Sequence, residues 1–136
     1  METPPLVVDA NVVVYMLLDG EKSSAARRLH ELHPEWVCPA ILRHEFMNVC
    51  ATYRRVGGVS REECLALVRT GMALLRGREL GADPEVVVGV AMDLGLSVYD
   101  AEYVAVAFAL QGVLVTEDRT VLARAPAVAR SLEEYT

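Results

Sequence analysis

Short, uninterrupted apolar runs alternate along the chain with longer stretches whose apolar residues recur every three or four positions. Leu6-Val7-Val8, between Pro4-Pro5 and Asp9, is apolar at every position and too short for a helix. That is the pattern of a strand buried on both faces of a parallel sheet. Val113-Leu114-Val115 repeats it, and Trp36-Val37-Cys38, closed by Pro39, reads as a third strand. Elsewhere the spacing predicts helices. One follows Asp9 to about Leu18, and a second runs from Ser23 or Ser24 to His33, stopped by Pro34. The clearest spans about Ala40 to Val56, with Ile41, Leu42, Phe46, Val49, Cys50 and Tyr53 on one stripe and Gly57-Gly58 at its end. Ser60 with Glu63 makes a capping box for a helix to about Leu75. Arg78–Leu80 suggests a short strand, and Asp83-Pro84 opens a helix through Met92 that Gly95 stops. Ser97-Val98-Tyr99 leads into a helix from Asp100 to about Leu110. Asp118–Arg124 follows as a short helix, and Val128–Leu132 is expected to add an edge strand.

Strands alternating with helices imply an α/β sandwich with a mainly parallel sheet. No repeat, linker or low-complexity segment divides it, so a single domain over residues 1–136 is expected. With 53% hydrophobic residues and no long polar tract, the chain is not disordered. No apolar stretch is long enough to span a membrane, and the N-terminus lacks an export signal, so a cytoplasmic protein is expected. Cys38, Cys50 and Cys64 are odd in number and lie among apolar neighbours, the pattern of buried free thiols in a reducing compartment.

The formal net charge of -6 argues against binding nucleic acid by bulk electrostatics. It leaves room for a nucleic-acid enzyme, because carboxylates that hold divalent cations reverse the local field. Asp9 directly follows the first strand, Thr116 and Asp118 follow the Val113–Val115 strand, and Asp100 opens a helix whose apolar face is Val104, Ala107 and Phe108. Glu45 lies one turn from Ile41 and from Val49, within or beside the buried stripe of its helix. An Asp in such a place is often only a helix cap, and Glu45 could sit at a surface edge. In a parallel sheet, however, all four carboxylates converge beyond the carboxyl ends of the strands. Crowded acids without cations repel one another, and divalent metal relieves that. Oxygen-only donors select Mg²⁺ or Mn²⁺ over zinc, and such clusters commonly serve phosphodiester hydrolysis.

Four segments carry a resemblance to PIN domains, most closely to the VapC-type toxin ribonucleases. They are Leu6-Val7-Val8-Asp9-Ala10-Asn11-Val12, Arg43-His44-Glu45-Phe46-Met47-Asn48-Val49, Tyr99-Asp100-Ala101-Glu102-Tyr103-Val104-Ala105-Val106-Ala107, and Leu114-Val115-Thr116-Glu117-Asp118-Arg119. The resemblance covers essentially the whole chain, in order. It implies a three-layer α/β/α sandwich and an Mg²⁺- or Mn²⁺-dependent endoribonuclease. Asp9, Glu45, Asp100 and Asp118 would be the catalytic and metal-binding acids, with Asn11, Asn48 and Thr116 supporting them. It further implies an RNA substrate, a protein antitoxin and a homodimer, for which the helices beginning at Asn11 and Ser60 are the expected contact. Two alternatives stay open: a PIN nuclease that processes RNA without being a toxin, and a non-catalytic module that uses the acidic pocket for binding.

Other features carry less. His30 and His33 have helical spacing but fit a solvated helix end, and His44 points roughly 100° away from Glu45 around the helix. Arg27-Arg28 and Arg54-Arg55 suit either phosphate contacts or a helix terminus, while Glu102 and Glu117 suit exposed helix starts. A receiver domain would need a second acid after Asp9, where Ala10 stands, and a late lysine, whereas Lys22 is the only one. A haloacid-dehalogenase-like phosphatase would need Asp in place of Asn11, and a nucleotide-binding domain a glycine-rich turn after the first strand.

Overall fold

The protein, examined as a computed structural model, is described over residues 5–135; Pro4 and the extreme ends of the expected domain lie outside that range. In chain order its elements are β1 (Leu6–Val8), α1 (Ala10–Leu17), α2 (Ser23–Leu32), β2 (Trp36–Val37), α3 (Ile41–Val56), α4 (Arg61–Leu74), α5 (Pro84–Leu94), α6 (Val98–Leu110), β3 (Val113–Val115), α7 (Arg119–Arg124), β4 (Ala129–Arg130) and α8 (Leu132–Tyr135). Among the described residues the strands form one four-stranded sheet in the order β2-β1-β3-β4, and every pairing is parallel. The sheet reverses direction beside β1: the chain first moves outward to β2, then crosses back to β3 and β4. Right-handed crossovers therefore send α1 and α2 to one face and α6 and α7 to the other.

The three-residue strands owe their stability to burial. Leu6, Val7 and Val8 are buried on both faces, and so are Leu114 and Val115. Helix α6 packs against β1, β3 and α5, and Ala101 and Tyr103–Ala107 are all buried. A helix apolar around so much of its circumference belongs inside a domain. Helix α1 is covered as well, by α2, α3 and α4, and buries Val12, Val13 and Val14. Its remaining apolar residues Tyr15, Met16 and Leu17 are half-buried. Exposed apolar side chains include Val86, Val88 and Met92 on α5, Val98 and Tyr99 at the start of α6, and Leu65 on α4.

The local signals hold where a cap sets them. Ser60 and Glu63 exchange backbone N–H bonds at 3.1 and 3.4 Å, Asp83 accepts from the Glu85 N–H at 2.8 Å, and Gly95 closes α5 in the left-handed region. The segment after Gly95 needs correction. Helix α6 starts at Val98 rather than Asp100, because the Ser97 hydroxyl accepts from the Asp100 N–H at 3.1 Å and takes the capping role. The expected edge strand over Val128–Leu132 shrinks to Ala129–Arg130, and Leu132 begins α8. Arg78–Leu80 contributes one parallel bridge, Glu79 to Cys38, at the β2 edge.

Phe46 anchors α3 against α4. It is fully buried, and a Cβ on Gly71 would lie 2.1 Å from its Cζ. Alanine at 71 gains roughly 1 kcal/mol in helix propensity, but displacing the Phe46 ring costs about 1–3 kcal/mol. The clash wins. Gly71→Ala should therefore lower the urea midpoint without changing the m-value, and a higher midpoint would show that the core accommodates the methyl group.

Candidate active site

The pairing of Val8 with Val115 sets Asp9 and Thr116 side by side, each the first residue beyond its strand. The Thr116 hydroxyl donates to Asp9 Oδ2 at 2.5 Å, and the other Asp9 oxygen accepts from the Val12 N–H at 3.0 Å, capping α1. The Asp118 N–H donates to the same Thr116 oxygen at 3.0 Å, while Asp118 Oδ1 caps α7 through the Val121 N–H at 3.0 Å. Capping and site roles therefore coexist. Each aspartate uses an oxygen to start its helix, and the cap fixes the direction of the other.

Two further acids come from helices. Glu45 is half-buried on α3, and its Oε1 accepts a short hydrogen bond from the Tyr103 hydroxyl. Tyr103 lies on α6 three residues after Asp100, so the two share a face, and it is only 4% exposed. Tyr103 is the functional candidate that sequence reasoning missed. Within Tyr103–Ala107 it looks like one more core residue, and only its spacing from Asp100 hints at the site.

The four acids line one pocket of about 200 Å³ together with Asn11, Asn48, Tyr103 and Thr116. All four of the acids expected at the strand ends thus border the same pocket. Among the described residues the ion pairs are Lys22–Glu117, Arg27–Asp19 and Arg43–Glu79, so no Lys, Arg or His answers any of the four. No three His, Cys, Asp or Glu side chains among those residues are already gathered as a metal cage. The four carboxylates share the pocket without closing on a common point.

Desolvation dominates the electrostatics. Burial pushes the Asp9 carboxyl up to about 6, with the Glu45 charge adding to it and the Thr116, Val12 and Glu117 hydrogen bonds opposing it. Glu45 is raised by burial and by Asp100 and Asp118, against the pull of the Tyr103 hydroxyl. Asp100 is raised by burial and then by Asp118. The cause is burial first and then the crowding of like charges.

The other expected residues divide clearly. Thr116 supports the acids through direct hydrogen bonds, whereas Asn11 and Asn48 are exposed at the pocket wall and touch none of them by hydrogen bonding. His30 packs edge-on against Trp36 at 4.9 Å and His33 lies 5.1 Å from the Tyr135 ring, so both serve packing. Burial raises the Cys38 thiol to about 12 and the Cys50 thiol to about 11, which keeps both protonated at neutral pH.

The chain is similar to known proteins in family and in fold. The family model of the PIN domain matches residues 6–128. Ribonuclease VapC3 from Pyrobaculum aerophilum is 27% identical over 126 residues, covering 90% of this chain and 96% of that protein. Among solved structures, PAE2754 from Pyrobaculum aerophilum superposes with a TM-score of 0.74 at 22% identity, covering 96% of this chain and 85% of its own. FitAcB from Neisseria gonorrhoeae superposes with a TM-score of 0.68 at 16% identity, covering 94% and 98%. These two likenesses establish the fold, a parallel sheet flanked by helices.

Proposed function

The chain belongs to the PIN domain family, and from that premise we propose that it is an Mg²⁺- or Mn²⁺-dependent endoribonuclease, the toxin of a toxin–antitoxin pair. One observation carries the reading: Asp9, Glu45, Asp100 and Asp118 line a single pocket, and among the described residues no cationic side chain is paired to any of them. The likeness to a protein named Ribonuclease VapC3 supports the choice of RNA and of the toxin class.

The donor set fits a hard divalent cation, being all oxygen, anionic and desolvated. Asp9, Glu45, Asp100 and Asp118 are the residues that would hold it. When bound, Mg²⁺ or Mn²⁺ supplies the Lewis acidity for attack of water on a phosphodiester and for departure of the leaving oxygen. Thr116 keeps Asp9 and Asp118 in register by donating to one and accepting from the backbone of the other. Tyr103 holds Glu45 in the same way, through its hydroxyl to Oε1.

That positioning role gives a direct expectation. Loss of a hydrogen-bonding partner behind a metal ligand costs about 10–100-fold in affinity or activity. Tyr103→Phe keeps the ring and removes only the hydroxyl, so Mn²⁺ affinity by titration calorimetry should fall within that range while the fold is kept. Wild-type affinity would mean that Glu45 needs no support.

The function is tested by incubating metal-stripped protein with mixed RNA, with and without Mg²⁺ or Mn²⁺, and mapping the ends produced. Cleavage only with metal is expected, and undiminished cleavage in excess chelator would overturn the mechanism. Binding of RNA without cleavage under any metal would instead favour a non-catalytic acidic-pocket module. The toxin role is tested in cells. Expression alone should arrest growth, and an antitoxin encoded nearby should relieve the arrest by laying a segment along the pocket. Normal growth with active enzyme would mark an RNA-processing nuclease instead. We place this activity in the cytoplasm; among the described residues no helix is long and apolar enough to cross a membrane. A homodimer belongs to the same reading, with α1 and α4, the helices beginning near Asn11 and Ser60, as its expected contact.

A further inference from the structure

A second hollow, of about 340 Å³, adjoins the acidic pocket and shares Asn11, Asn48 and Val49 with it. Thr52, Tyr53, Val56 and Gly57 complete its lining, and no charged side chain is among them. We infer that this hollow is a subsite for one unpaired nucleobase of the RNA, flanking the phosphodiester presented to the four acids. The inference rests on the nuclease reading and adds to it a place for one base beside the cleaved bond.

Three features favour a base over another occupant. First, the hollow is continuous with the acidic pocket, so a group held there is tethered about one nucleotide from the reacting phosphate. Second, its lining is uncharged and its neighbour is strongly acidic, which suits a neutral ring and disfavours a second phosphate or an acidic side chain. Third, the lining pairs an aromatic ring with two exposed amides, and neither Asn11 nor Asn48 has a side-chain hydrogen bond among the described residues. An asparagine amide offers a donor and an acceptor, matching the edge of a base, while the ring of Tyr53 offers a face for stacking. Thr52 differs, because its hydroxyl already donates to the Asn48 carbonyl at 2.9 Å.

Gly57 shapes the wall. Its φ of -100° suits any residue, but a Cβ there would lie 2.8 Å from the Tyr53 carbonyl oxygen and 3.2 Å from its ring. A side chain at 57 would therefore crowd Tyr53 and fill the hollow beside it. Recognition of a splayed base also requires that it be free of a duplex, which an A-form helix with its inaccessible major groove does not allow.

The test uses the whole chain and a fluorescein-labelled single-stranded oligoribonucleotide, either intact or with one abasic residue moved along its length. Binding is followed by anisotropy with Ca²⁺ in place of Mg²⁺, and cleavage of the same RNA is followed with Mg²⁺. An abasic residue at one position beside the cleaved bond should weaken wild-type binding and raise KM by about tenfold, the scale of base–aromatic stacking. Tyr53→Leu keeps apolar volume but loses the ring. It should show that loss on intact RNA and no further loss on the abasic RNA, with the change falling on KM more than on kcat. Tyr53→Phe should restore the discrimination, and Asn48→Ala, at an exposed position, should blunt it without affecting the melting temperature. Wild-type KM and abasic discrimination in Tyr53→Leu would overturn the subsite while leaving the nuclease reading intact. Tyr53-dependent RNA binding without any metal-dependent cleavage would overturn the nuclease reading and retain the base site. If Tyr53→Leu alters only rescue by a protein partner and leaves RNA handling unchanged, the hollow belongs to that partner and the inference is overturned.

Discussion

Asp9→Asn is expected to reduce RNA cleavage by more than a hundredfold while preserving the circular dichroism spectrum. The substitution is nearly isosteric, and the asparagine carbonyl can still accept from the Val12 N–H that caps α1. What changes is the side facing Thr116. The Thr116 hydroxyl donates to Asp9 Oδ2 at 2.5 Å and accepts the Asp118 N–H at 3.0 Å. An amide NH₂ in place of that carboxylate oxygen reverses the first bond and removes the charge. Removing an outer partner of a metal ligand already costs about 10–100-fold, so loss of the charge itself, at a residue proposed to hold the metal, should exceed that. Initial rates with saturating Mg²⁺ measure it, and a rate within tenfold of wild type would remove Asp9 from the reaction.

The metal-free protein should become less stable as pH rises from about 4 to about 6, opposite to the usual behaviour of a paired carboxylate. Asp9 is the main cause. In the unfolded chain an aspartate ionises near its ordinary value of about 4, whereas burial raises the folded group to about 6. Between those limits the folded state holds more protons than the unfolded state, so unfolding free energy falls with rising pH and then levels off. For Asp9 alone the loss amounts to about 3 kcal/mol, and Glu45 and Asp100 are shifted the same way. A loss of that size corresponds to roughly 10 °C in melting temperature for a domain of this length. In chelator, the melting temperature at pH 5 should therefore exceed that at pH 7.5. Saturating Mg²⁺ at pH 7.5 should recover much of the difference, about 2.7 kcal/mol at a hundredfold excess over Kd. Asp100→Asn should recover part of it without metal. A melting temperature that rises toward pH 7.5 in chelator and ignores Mg²⁺ would show that the acids are neither buried nor coupled as the pocket places them.

Much of this arrangement was legible from short-range rules. Leu6–Val8 and Val113–Val115 read as buried strands because no helix accommodates so short an apolar run between breakers. Asp9 and Asp118 read as site residues because they follow strands in a parallel sheet. Glu45 stood out because an acid on an apolar stripe demands a reason. The start of α6 was less legible, since Ser97 and Asp100 can each cap a helix. Ser97 takes that role, and Asp100 in the first turn turns its carboxylate to the pocket.

Periodicity, caps and breakers act within a few residues, so they placed the helices, the buried strands and the four acids on their elements. Partners brought together from distant parts of the chain could be assigned only once β1 had paired with β3 and α3 had met α6. The hydroxyl of Tyr103 answers a glutamate 58 positions away, and Thr116 answers an aspartate 107 positions away. The same long-range packing left Asn11 and Asn48 lining both the acidic pocket and the hollow beside it without a hydrogen bond to any acid, and buried the α1 valines beneath α3 and α4. A side chain's spacing tells which face of its own element it occupies. Its hydrogen-bond partner and its degree of desolvation depend on what another element brings to that face.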